Sequence, residues 1–259
     1  MSDTIEQQCL SKGVKLTEQR RIIARVISES KAAYGESDHP DVDELYSRVL
    51  KIDPKNSIIF FKLGTLKYLE EEKSEAINYL DKSIAMDKNN ANAYFLRATI
   101  KIDFKRNYEA LKDYEVALSI DPKNCDYLFG IASLKSELGE EKEAFDYYSK
   151  IILLDNNYSA AYLNRGMLYM NRQEYPEAIN DFDEALKIDP NLALAKNNRG
   201  VAYFQLKDNK EALEDFNDYI NSGLDDIGMK FKIIGISMTF GLNAFDGGCR
   251  LYFKRWPCL

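Results

Sequence analysis

Residues 176–190, PEAINDFDEALKIDP, contain the pattern that decides the fold. The closing Asp-Pro has counterparts upstream, and Pro54, Pro122 and Pro190 are each 68 residues apart. A Glu-Ala pair occurs five times, and successive pairs are 34 residues apart, which is half of that spacing. The pairs begin at Glu75, Glu109, Glu143, Glu177 and Glu211. A fixed internal period of this length is the signature of a repeat architecture.

Each 34-residue unit reads as two helices. In the quoted stretch, apolar residues recur at the i, i+3, i+4 and i+7 positions of one helical face: Ala178, Ile179, Phe182, Ala185 and Leu186. Pro176 is tolerated in a first helical turn, and Glu177 is favoured there by the helix dipole. The Asp189-Pro190 pair ends the helix, because the residue before a proline avoids helical backbone angles and proline lacks an N–H.

Small residues recur in the first helix of every unit, at Gly64, Ala98, Ala132, Gly166 and Gly200. Four residues after each alanine of the Glu-Ala pair, a large residue recurs: Leu80, Tyr114, Tyr148, Phe182 and Phe216. Small residues allow two helices to approach closely, and the large ones are expected to fill the space against the next unit.

These positions resemble the tetratricopeptide repeat family over residues 57–226, as five units that begin at 57, 91, 125, 159 and 193. The resemblance implies an all-α fold, a right-handed α-solenoid of helix-turn-helix repeats with a concave groove. A bacterial chain is expected, because the motifs Asn164-Arg165-Gly166 and Asn198-Arg199-Gly200 are common in bacterial repeats of this family. The predicted division is 1–56 for an N-terminal helical fragment, 57–226 for the repeats and 227–259 for an irregular tail.

In that family the first helix of each unit lines the groove, and the resemblance therefore implies a set of partner-binding residues. They are Phe61, Tyr68, Phe95, Ile102, Phe129, Leu163, Asn164, Met170, Asn197, Asn198 and Phe204. Apolar side chains at these positions either pack in the core or anchor a bound peptide or helix. In the motifs Asn164-Arg165-Gly166 and Asn198-Arg199-Gly200, the asparagines could hydrogen-bond a ligand backbone and the arginines could pair with a carboxylate. A structural role of both motifs is the simpler interpretation.

The N-terminal words KGVKLTEQRRIIARVI and HPDVDELYSRVLKIDP resemble the opening of the ferric uptake regulator family over residues 9–56. The resemblance stops where that family places its DNA-reading helix. His39 stands where the family often has a metal ligand, but it is the only histidine of the chain. The alternative function is thus a DNA-associated regulator that uses residues 9–56, with Arg20, Arg21 and Arg25 at phosphates.

Composition narrows the function classes. The net charge is −7, which argues against nucleic acid as the partner. The four cysteines are widely spaced, which suits a reducing compartment and predicts neither a disulfide nor a zinc framework. The sequence shows no signal peptide, no membrane span, no catalytic constellation and no cofactor motif. We therefore expect a cytoplasmic, non-enzymatic interaction protein without cofactor or metal. Its partner is a protein or peptide, and the oligomeric state stays open.

Two segments keep alternatives open. The stretch VLKIDPKN, residues 49–56, fits the end of a repeat as well as the regulator-like words. If it is a half-repeat cap, Tyr46 packs near Phe60 and Leu63 of the first repeat. The tail after 226 is expected to form a short irregular cap with a disordered or loosely packed end from about 246, or to be a remnant of a disrupted gene. A third alternative for the function is that the chain as a whole has no evolved function.

Overall fold

A computed structural model describes residues 5–12, 14–34 and 42–221 of the chain. These residues form thirteen α-helices and no strand, which confirms the all-α fold class. The chain divides into two compact units, each larger than a 34-residue repeat: Met1–Ile131, called the first unit below, and Ala132–Leu259, called the second unit. The boundaries predicted at 56 and 226 stay predictions. His39 and the tail from 227 onwards lie outside the described residues.

The helix boundaries follow the 34-residue period. Three N-terminal helices precede the repeats: α1 (Ile5–Ser11), α2 (Glu18–Tyr34) and α3 (Val42–Ile52). The first helices of the repeats, called A helices below, are α4 (Ser57–Leu69), α6 (Ala91–Asp103), α8 (Cys125–Glu137), α10 (Ser159–Asn171) and α12 (Ala193–Gln205). The second helices, called B helices, are α5 (Lys73–Met86), α7 (Asn107–Ile120), α9 (Glu141–Leu154), α11 (Tyr175–Ile188) and α13 (Asn209–Asn221).

The predicted helix ends are confirmed. The recurrent glutamates, among them Glu177, lie in the first turn of the B helices, and Pro176 lies in the first turn of α11. Asp189 is the C-cap of α11, and its carboxylate accepts a hydrogen bond from the Asn191 backbone N–H at 3.0 Å. At the other end of the chain, Thr17 caps α2, since its hydroxyl accepts from the Arg20 N–H at 3.4 Å.

Every turn between an A helix and a B helix contains one left-handed residue. The five residues stand 34 apart and have φ between 59° and 79°: Glu71, Lys105, Gly139, Gln173 and Lys207. The next backbone N–H in each turn donates to a carbonyl five residues back, as Arg106 does to Lys101 at 2.9 Å. This is the Schellman pattern of a helix end, which favours glycine at the left-handed position. Only one of the five turns has that glycine.

Helix pairs meet where a small residue of the A helix faces a large side chain of its own B helix. A Cβ on Gly166 would lie 2.7 Å from Phe182 Cε1, and one on Gly200 equally close to Phe216 Cε1. In the first repeat, a Cβ on Gly64 would lie 2.8 Å from Leu80 Cγ. The side chains of Leu80, Phe182 and Phe216 are almost completely buried. The close approach predicted at the small residues is therefore present in these three repeats. The large side chain meets the A helix of its own repeat there, whereas the sequence predicted only a contact with the next unit.

The N-terminal helices pack on the first repeat. Val26 of α2 and Val49 of α3 are buried in one cluster with Ile59 and Leu63 of α4, and Tyr46 packs against this cluster. The Ser57 hydroxyl, at the start of α4, donates to Gln19 Oε1 of α2 at 3.3 Å. Residues 49–56 thus join two packed elements, and Tyr46 belongs to the same core as the first repeat.

We expect Gly166→Ala to destabilise the chain despite its better helix propensity. The helix gains about 0.5–1 kcal/mol, but overpacking against the buried Phe182 ring costs about 1–3 kcal/mol. Urea denaturation followed by circular dichroism measures the change. Asn180→Ala, at an exposed position of α11, is the control that gains propensity without a clash. A Gly166→Ala variant as stable as Asn180→Ala would contradict the prediction.

We expect Lys105→Gly to raise the free energy of unfolding by about 0.5–1 kcal/mol, because glycine removes the cost of the left-handed conformation. The matched control is Lys112→Gly in the exposed face of α7, where glycine should destabilise by about 1 kcal/mol. Denaturation of both variants under the same conditions separates the two effects. Equal losses for both would show that this turn carries no such strain.

Candidate functional site

In the first unit, the predicted groove residues lie on the A helices and are partly buried. Phe61 and Tyr68 pack against the core formed by α5 and α6. The ring of Phe95 lies 5.3 Å from that of Tyr114 and 5.1 Å from that of Tyr127, in tilted contacts. Ile102 and Phe129 are also partly buried. All five therefore contribute to packing and also keep some exposed surface.

The second unit presents a more exposed apolar surface. On the adjacent helices α10 and α12, the positions i, i+3, i+7 and i+10 from Ala160 and Leu194 form one face of each helix. Leu194 is 53% exposed, Met167 44% and Phe204 41%. Met170 and Val201 are partly exposed on the same faces. We call these five side chains the apolar face of the second unit.

Leu163 has the same spacing but a different environment. It is 7% exposed and lies in a core cluster with Tyr162, Phe182 and Ala195. Met167 and Leu194, by contrast, were missed among the predicted site residues. Their signal was present, because they continue the spacing that already marked Met170 and Phe204.

The three predicted asparagines have different partners. The Asn164 amide donates to the Ala160 carbonyl at 2.8 Å, within its own helix. Asn198 is partly buried. The Oδ1 atom of Asn197 is buried and has no hydrogen-bond partner among the described residues. A buried acceptor without a donor is unfavourable, so the position of Asn197 costs stability, and its buried oxygen is not presented to a ligand.

Arg165 and Arg199 are held by internal carboxylates. Arg165 donates from Nε and Nη2 to both oxygens of Asp181, at 2.8 and 2.6 Å, and its Nη1 donates to Ser149. Arg199 makes the same two-pronged contact with Asp215, and its Nη1 donates to Asp183 at 2.5 Å. Each arginine therefore connects its A helix to the B helices before and after it. This supports the structural interpretation of the Asn-Arg-Gly words.

Arg97 repeats this arrangement in the first unit, with Asp113 and Asp81 as its carboxylates. Hydrogen bonds to the carboxylates raise the pKa of Arg165 and Arg199, so both guanidinium groups stay charged. Burial raises the pKa of the Asp215 carboxyl, although Arg199 opposes that shift. The sequence indicates this Arg–Asp pair, because both residues are replaced together. The first repeat has Leu63 at the arginine position and Tyr79 at the aspartate position.

The regulator-like segment uses its apolar face for packing. Asn56 and Ser57 at the start of α4 are buried, and Ser57 contacts Gln19 of α2, so the regulator-like segment covers the start of the first repeat. Arg20, Arg21 and Arg25 lie on the exposed side of α2. DNA binding by residues 9–56 stays a prediction. Within residues 5–12, 14–34 and 42–221, no cluster of metal-ligating side chains occurs and no helix meets the length and hydropathy of a membrane span.

Comparison with protein families identifies the repeats. The tetratricopeptide repeat family matches residues 91–124, 126–158, 159–192 and 193–222, which is about half of the chain. The chain belongs to this family. Residues 57–90 have the same helix boundaries, turn and close helix contact as the matched units.

Solved structures show the same fold. YrrB, described as a tetratricopeptide repeat protein with an unusual peptide-binding site, has a TM-score of 0.60 and 23% identity, over 73% of this chain and 97% of that one. PilF of Pseudomonas aeruginosa has a TM-score of 0.66 and 17% identity, over 72% and 85% of the two chains. A tetratricopeptide repeat protein of Parabacteroides merdae has a TM-score of 0.63 and 18% identity, over 86% and 88%.

The resemblance to the ferric uptake regulator family is also found. The chain is 47% identical over 58 residues to the ferric uptake regulation protein of Rhizobium leguminosarum bv. viciae. This match covers 22% of the chain and 37% of that relative. The chain thus spans little more than a third of the relative's length.

We expect the charges of Arg165 and Asp181 to be strongly coupled in a double-mutant cycle. Arg165→Leu or Asp181→Tyr alone leaves one buried charge without its partner, which costs about 3–5 kcal/mol. The double variant copies the apolar pair Leu63 and Tyr79 of the first repeat and should lose much less than the sum. Urea denaturation of the four proteins measures the coupling. Additive losses would contradict it.

Proposed function

We propose that this chain is a non-enzymatic protein–protein interaction scaffold that binds a peptide or a helix on its A helices. The observation that carries the proposal is the apolar face of the second unit, where Met167, Leu194 and Phe204 are 41–53% exposed on two adjacent A helices. Exposed apolar side chains that are contiguous, rather than scattered, mark interaction sites.

The chemistry of this face favours an apolar ligand. Its register positions on α10 and α12 carry no charged residue, and the nearby arginines are engaged with Asp181 and Asp215. Two of its five side chains are methionines, whose flexible thioethers adapt to different apolar partners. Recognition of an apolar helix or peptide with few acidic groups follows from this composition.

The predicted residues of the first unit support the same role. Phe61, Tyr68, Phe95, Ile102 and Phe129 stand at the corresponding A-helix positions and keep part of their surface exposed. The similarity to YrrB, whose description names a peptide-binding site, is in line with a peptide ligand. Leu163 is assigned to the core rather than to ligand contact, because it is buried with Phe182.

The test replaces Leu194 and Phe204 by glutamate and compares capture of protein partners from the native cell. Burial of unpaired carboxylates at the face should weaken binding at least about tenfold, since that factor requires only about 1.4 kcal/mol. Leu153→Glu is the matched control, because Leu153 is 87% exposed on the B helix α9 of the same unit. Circular dichroism confirms equal helicity. Equal capture of the same proteins by all three chains would refute the proposal.

A further inference from the structure

We propose that the ligand of the apolar face of the second unit is a segment of this same chain, residues 229–240, MKFKIIGISMTF. These residues lie outside the described part of the chain, and their sequence is apolar with lysines at 230 and 232. The inference rests on the proposed function, because it concerns the same face. It assigns to that face an occupant with which any external partner must compete.

The first argument is the place where the chain leaves the second unit. Asn221, the last residue of α13, lines one cavity together with Asn191 and Ala193. The end of α13 therefore lies beside the start of α12. Leu194, the most exposed side chain of the apolar face, is the next residue after Ala193. The chain thus continues from a point adjacent to one end of the face.

The second argument is reach. Seven residues, 222–228, separate Asn221 from Met229, and the eight steps from Asn221 to Met229 span up to about 26 Å when extended. The whole of α12, with 13 residues, is about 20 Å long. The connection is therefore long enough to place residues 229–240 along the face. A short connection also gives the segment a high effective concentration at the face, which favours it over a free peptide of equal affinity.

The third argument is charge. Residues 132–221 contain ten Lys and Arg against seventeen Asp and Glu, a net charge of −7. Residues 222–259 contain five against three, a net charge of +2. An uncharged apolar face on an acidic unit is complementary to an apolar segment that carries lysines.

Oxidation of methionines by dilute hydrogen peroxide in the full chain, followed by peptide mass spectrometry, tests the proposal. Met86 is 44% exposed in the first unit and Met167 is 44% exposed in the second, so Met86 is a matched internal reference. If the segment covers the face, Met167 should oxidise about threefold more slowly than Met86, as expected when the bound state is populated about two-thirds of the time.

The variant Ile233→Asp plus Ile234→Asp places two carboxylates in the segment and should bring the Met167 rate up to that of Met86. The same protection at tenfold lower protein concentration supports binding within one chain, whereas loss on dilution would overturn it. Equal rates for Met86 and Met167 in the unmodified chain, or protection that survives the variant, would also overturn it.

Partner capture separates this outcome from the proposed function. If the segment competes for the face, the Ile233→Asp plus Ile234→Asp variant should capture more partner than the unmodified chain. If Met167 is unprotected while Leu194→Glu plus Phe204→Glu still abolishes capture, the proposed function stands and the inference about the segment falls.

Discussion

The close contact between the two helices of a repeat is the constraint on which the other features depend. At Gly166 and Gly200 the phenylalanine ring of the B helix lies 2.7 Å from the position that a Cβ would occupy, and both rings are buried. Because the contact fixes the distance between the helices, it also fixes the turn. The turn of every repeat contains one left-handed residue at the same repeat position, whether or not that residue is a glycine. Four repeats accept the cost of a bulkier residue there, which shows that helix packing outweighs the local preference of the turn.

The two-pronged contacts of the arginines connect neighbouring repeats to each other. Arg97, Arg165 and Arg199 each bind one carboxylate sixteen residues ahead and one polar side chain sixteen residues behind. Such buried pairs add less to stability than their short distances suggest, because both ions lose water. Their consequence for function is that these cations are occupied inside the chain. The face on α10 and α12 is therefore left apolar, and its side chains are those of methionine, leucine, valine and phenylalanine.

The N-terminal segment shows how one sequence pattern fits two histories. The words that resemble a ferric uptake regulator also place Val26 and Val49 where the first repeat needs a cover for Ile59 and Leu63. A terminal repeat has an apolar side that no further repeat covers, so an amphipathic helix of any origin stabilises it. The packing of α2 and α3 on α4 satisfies that need. The basic residues of α2 remain on the opposite, exposed side.

The sequence by itself determined the repeat helices, their ends and the repeat family, because the Glu-Ala pair recurs every 34 residues in all five repeats and an Asp caps the second helix in four of them. Only the tertiary structure decided that Leu163 is buried while Met167, one turn further on the same helix, is exposed. A helical period marks a face, but burial depends on the side chains that the neighbouring helices bring to it. The left-handed turn residues were hidden for a related reason. Gly139 alone carries their signature, and the packing of the helices imposes the same conformation on Glu71, Lys105, Gln173 and Lys207.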